Sequence, residues 1–179
     1  MKKAPLNFVV ESNEKKIVNY FTPTPTDQLK TAVPVRELSK SGQLVLWSIR
    51  RWVQRRRLGD SVDTALKSTF TLAGIAEAQK PFEELMTLLA TVALRHVVVE
   101  CQCSAFLSSD ELLIIHTLRS LQSGHHEIAE QRIARIIVGK LGWTFCRIGV
   151  DYVKSLEKAG FSLNQISILS IARQRKSSL

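Results

Sequence analysis

Long apolar runs are missing from this chain. No stretch reaches the roughly 18 apolar residues that a membrane-spanning helix needs, so no span is expected. The apolar segment at residues 6–10 is too short for the core of a secretory leader, and Glu11 ends it. Cysteine is scarce: Cys101, Cys103 and Cys146 make an odd total. The first two stand too close to bridge easily, so reduced thiols and a cytoplasmic location are expected. A phosphate-cradling glycine loop is absent, as are Gly-x-Ser-x-Gly and His-Glu-x-x-His. Phosphate-loop chemistry, a nucleophile elbow and a zinc-protease helix therefore have no footing. Acid is short as well, with 16 Asp+Glu against 25 Lys+Arg and a net charge of +9. That excess suits an anionic partner: nucleic acid, an acidic protein or a membrane surface.

What is present describes a globular chain. At 179 residues and 45% hydrophobic content, it can build one core with extensions. Residues 1–60 carry +7, residues 61–124 carry −3 and residues 125–179 carry +5. This basic–acidic–basic order raises the expectation that distant segments share one positive face.

The first 35 residues read as an extended arm, because Pro23, Pro25 and Pro34 break any helix there. From Arg36 the spacing turns helical. The fold expected is mostly α, with about six helices in one bundle-like domain over residues 36–179. The first helix runs from about Ser39 or Ser41 to Leu58, stopped by Gly59. The second runs from Asp60 or Ser61 to Gly74. A third starts near Pro81 and buries Phe82, Leu85, Met86, Leu89, Val92 and His96. Residues 97–103 then alternate with period two and form the strand candidate, with Cys101 and Cys103 on one side. Such a strand needs a partner from the arm or the tail. Ser108 and Glu111 form a capping box for a fourth helix that closes at Gly124. A fifth spans about His126 to Leu141, and a sixth about Thr144 to Ala159. The tail at Arg173–Lys176 is basic and reads as loose.

The basic first helix carries Trp47 opposite its apolar stripe of Val45, Leu46, Ile49, Trp52 and Val53. An indole beside Arg50 and Arg51 can stack a nucleobase or a partner's aromatic ring. Equally, the helix can be central, with Trp47 in the core and arginine stems along its edges. Arg55 and Arg57 complete this contact set.

Catalytic and metal constellations do not assemble. His96, His116, His125 and His126 share a short stretch with Cys101 and Cys103, but without the paired spacing zinc prefers. No metal, no cofactor and no catalytic residue is expected. Cys146 has no nearby histidine, and Asp110 with Glu111 reads as helix-start charge.

Residues 137–163 include Leu141-Gly142 and Leu156-Glu157-Lys158-Ala159-Gly160-Phe161. They resemble the helix-turn-helix of winged-helix bacterial transcription regulators. That resemblance implies a motif over 126–163 whose second helix enters a major groove, with Arg147, Lys154 and Lys158 outward. The reading favoured is a non-enzymatic regulatory protein associated with DNA. The alternative is a helical protein-interaction module with no nucleic acid, docking a partner through Trp47.

Overall fold

The computed structural model describes residues 33–59, 63–137 and 139–164. Most of the expected arm and the basic tail lie outside these residues. Among them are six α-helices: α1 Lys40–Arg57, α2 Asp63–Leu72, α3 Gln79–Val92, α4 Ser109–Gln122, α5 His126–Ile133 and α6 Lys140–Lys158. The mostly helical expectation holds.

Helix α6 is the central element. It packs on α3, α4 and α5, while α4 also meets α1. Its inner face buries Phe145, Cys146, Ile148, Tyr152, Val153 and Leu156. Gly149 lies on that face, where a Cβ would stand 2.5 Å from Leu121 Cδ1, so the missing side chain lets α4 and α6 approach closely. Phe82 links Phe70 and Tyr152, with ring centroids 5.6 Å apart on each side. Trp52 is fully buried, with the Arg56 guanidinium 5.1 Å from its ring centre.

Three expectations are corrected. Residues 97–103 form no strand; the extended segment finds its partners on α4 instead. Val98 N–H donates to Asp110 (2.8 Å), the Val98 carbonyl accepts from the Ser108 hydroxyl (2.6 Å), and Glu100 N–H donates to Glu111 (3.1 Å). Helix-start side chains thus satisfy backbone groups that a neighbouring strand would otherwise take. The pairing from the arm's end falls further along, at an isolated antiparallel bridge between Pro34 and Phe106. His96 is the second correction: α3 ends at Val92, and His96 sits exposed beyond it.

The third concerns the fifth helix, which stops at Ile133 rather than Leu141. The Ile136 carbonyl accepts from Leu94 N–H (2.9 Å), which ties this stretch to the end of α3. Gly139 then turns the chain at φ +63°, a conformation costly for other residues. Leu141 and Gly142 consequently lie in the first turn of α6, not in a turn between helices.

One buried carboxylate joins three parts of the chain. Glu111 is fully buried and takes Arg50 Nε (2.8 Å) and Nη2 (2.9 Å), along with the amides of Glu100 (3.1 Å) and Ser108 (2.9 Å). Arg50 also donates to the carbonyls of Ser104 and Phe106, each at 2.8 Å. The expected capping box is present and carries this further load. Glu111→Gln should lower stability by about 3–5 kcal/mol in denaturant titration, because it leaves the buried guanidinium uncompensated. Arg50→Met combined with Glu111→Leu should cost less than Glu111→Leu alone.

Candidate nucleic-acid interface and an arginine-lined cavity

The residues expected to make contacts divide by location. Arg50 is a correction: it is 4% exposed and occupied by Glu111 and two carbonyls, so no phosphate can reach it. Trp47 is half-buried against the core and its carbonyl accepts from Gln102 Nε2 at 3.4 Å. Arg51 and Arg55 are half-buried, and Arg51 reaches Gln54 at 3.4 Å. Arg57 is exposed at the end of α1, and partial desolvation lowers its pKa.

On α6 the expected cations share one side. Arg147, Lys154 and Lys158 are exposed, together with Lys140, Asp151 and Glu157. The helix buries its opposite face, so its outward side chains form a strip about 28 Å long at 1.5 Å per residue. Lys158 pairs with Glu77 at 3.2 Å, with both side chains more than two-thirds exposed. Such a pair contributes little and yields readily to a stronger anion. Trp143, 58% exposed, lies on this same strip, one turn before Arg147. Trp143, rather than Trp47, is the more exposed indole of the two. Spacing from Arg147 and Lys154 could have found it, had the helix been started at Lys140 instead of Thr144.

The basic surfaces of α1 and α6 sit on helices with different neighbours. Helix α1 packs on α2 and α4, and α6 packs on α3, α4 and α5. Their shared partner is α4, whose buried Glu111 consumes the charge of Arg50.

A cavity of about 370 Å³, with no signature in the local sequence, is lined by Arg95, Ser109, His116, Arg132 and Arg135, among others. Arg95 holds Asp110 with two bonds, at 2.8 and 2.6 Å, which raises the guanidinium pKa. Arg132 donates to the His116 carbonyl (3.2 Å) and to the Ser120 hydroxyl. Arg95 stands 37 residues before Arg132, so no local pattern joins all three arginines. Burial first, then the charges of Arg132 and Arg119, push the His116 pKa below its usual range. The imidazole is therefore neutral at physiological pH.

Among the described residues, no group of three or more His, Cys, Asp or Glu side chains could hold a metal ion. No described helix is long and apolar enough to cross a membrane. Comparison with protein-family models, curated proteins and solved structures yields no match for this chain.

His116 offers a direct check on the cavity's field. Its proton titration by NMR should have a midpoint below about 6.5, and Arg132→Gln should move it upward. Because the folded-state pKa is depressed, the associated stability is present above the unfolded value. It is lost as pH falls through the folded one.

Proposed function

We propose that this protein is a non-enzymatic regulatory binding protein that associates with DNA through the outward strip of α6. The observation that carries this reading is the alignment of Trp143, Arg147, Lys154 and Lys158 on one exposed helical face. The net charge of +9 supports it, since a cationic protein gains affinity for a polyanion by releasing condensed counterions. A major groove admits an α-helix, the guanidinium and ammonium groups are donors for phosphate, and the indole offers a stacking plane. Asp151 and Glu157 flank the strip and oppose phosphate at their own positions, which restricts how the helix can sit.

This reading differs from the winged-helix form of the resemblance. The segment between α5 and α6 covers residues 134–139, longer than the three to four residues usual in that motif. The contact proposed belongs to α6 itself and borrows nothing from that motif's turn.

One observation favours a second reading. Leu141 (43% exposed) and Trp143 place apolar surface at the first turn of α6, which suits a partner helix in a protein-interaction module.

Binding to duplex DNA measured across a salt series separates the two. Arg147→Glu with Lys154→Glu should weaken binding at least ten-fold and reduce the log–log salt slope by about 2. Trp143→Ala should weaken it with little change in slope. Wild-type protein with no salt-sensitive DNA affinity, or a charge-reversed variant with unchanged affinity, rejects the DNA reading. Lys154→Gln is the milder companion if the double variant does not fold.

A further inference from the structure

The sulfurs of Cys101 and Cys103 are joined as a disulfide across a single residue, which corrects the expectation of two reduced thiols. That expectation rested on their closeness in sequence, one residue apart, and on the odd total of cysteines. The chain instead turns at Gln102 and Cys103, with Ser104 N–H donating to the Cys101 carbonyl at 3.1 Å. The turn draws the two Cα atoms to 5.4 Å, inside the range disulfides require.

Three further observations concern access. Both cysteines are exposed, and exposed disulfides belong to the labile class rather than the inert one. Cys101 lines a cavity of about 250 Å³, together with Val53, Gln54, Arg57, Leu58 and Gln102. Arg50 and Glu100 line it as well; the first is already paired with Glu111. Arg57 therefore supplies an exposed cation beside the disulfide, a setting that favours thiolate.

We infer that Cys101–Cys103 is a thiol–disulfide exchange site that reacts with a low-molecular-weight thiol entering the cavity beside Arg57. The incoming thiolate attacks Cys101 Sγ. The Cys101–Cys103 bond breaks, and its electron pair departs on Cys103 Sγ, which takes a proton from solvent. A second thiol then attacks the outer sulfur of the mixed disulfide. The small disulfide leaves, and Cys101 is released as a thiolate that takes the second proton from solvent. Two small thiols are oxidised, and the protein disulfide takes up two electrons and two protons.

The site is wired to the interior. Ser104, at the end of the same turn, gives its carbonyl to Arg50 Nη1 (2.8 Å), and Gln102 reaches the Trp47 carbonyl (3.4 Å). Opening the disulfide frees a turn whose carbonyl helps to hold the buried Arg50.

Cys146 makes the experiment clean. It is buried, and desolvation followed by the charge of Glu130 pushes its thiol up to about 12, so it stays unreactive in the folded protein. The full chain, purified without reductant, is alkylated before and after incubation with reduced glutathione and analysed by peptide mass spectrometry. Before incubation, Cys101 and Cys103 should be blocked to alkylation even after unfolding, while Cys146 becomes reactive on unfolding. After incubation, both should be alkylated in the native fold. Cys103→Ser incubated with oxidised glutathione should carry glutathione on Cys101, with one glutathione thiolate leaving, and Arg57→Gln should slow the opening of the wild-type disulfide several-fold without altering the helical circular dichroism. Two alkylatable thiols at 101 and 103 in the untreated protein overturn the inference. A disulfide that glutathione opens only after unfolding overturns it too.

Discussion

A buried guanidinium–carboxylate pair governs how this chain is assembled. Arg50 and Glu111 come from α1 and α4, and both side chains are almost wholly removed from water. Stripping two charges of their hydration is costly, so the surroundings must satisfy every polar group that remains. Here they do so with backbone: two carbonyls for Arg50 and two amides for Glu111. The irregular segment from Glu100 to Ser108 is shaped by these demands. Its extended stretch, its turn and its bridge to Pro34 are the path that presents the right groups to the ion pair. A second pairing beside it repeats the principle, with Asp110 taking Arg95 from outside and the amide of Val98 from within.

Much of the fold was legible because it rests on local rules. The stripe of Leu85, Met86 and Leu89, the Ser108–Glu111 capping box and the closing Gly160 at φ +80° depend on neighbours a few residues away. What escaped was non-local. The alternation at Val97–Cys103 is a sound strand signal, yet helix side chains occupy its hydrogen-bonding groups. The apolar pattern at Ile133, Ile136 and Ile137 continues past the end of α5 at Ile133, so spacing alone implies a longer helix. The break comes from Leu94, an amide more than forty residues upstream.

The contact residues follow the same division. Arg147, Lys154 and Lys158 share an exposed side as their spacing implies, because one helix determines it. Arg50 was misjudged because its counter-charge lies on another helix, and a cation read from sequence carries no mark of being neutralised. The arginine cavity collects Arg95, Arg132 and Arg135 from two separate regions and could be seen only once α4 and α5 were in place. Trp47 rests against the core, as one of the two readings of its helix has it, while Trp143 stands exposed on α6, which begins four residues before the expected start.

The span between Arg50 and Glu111, 61 residues, has a consequence for synthesis. The chain leaves the ribosome from its amino end, and domains settle as their parts emerge. Helix α1 is therefore made and released well before the carboxylate that neutralises it. The pair between α1 and α4 can close only once both helices have been made, so the burial of Arg50 depends on a residue 61 positions later in the chain.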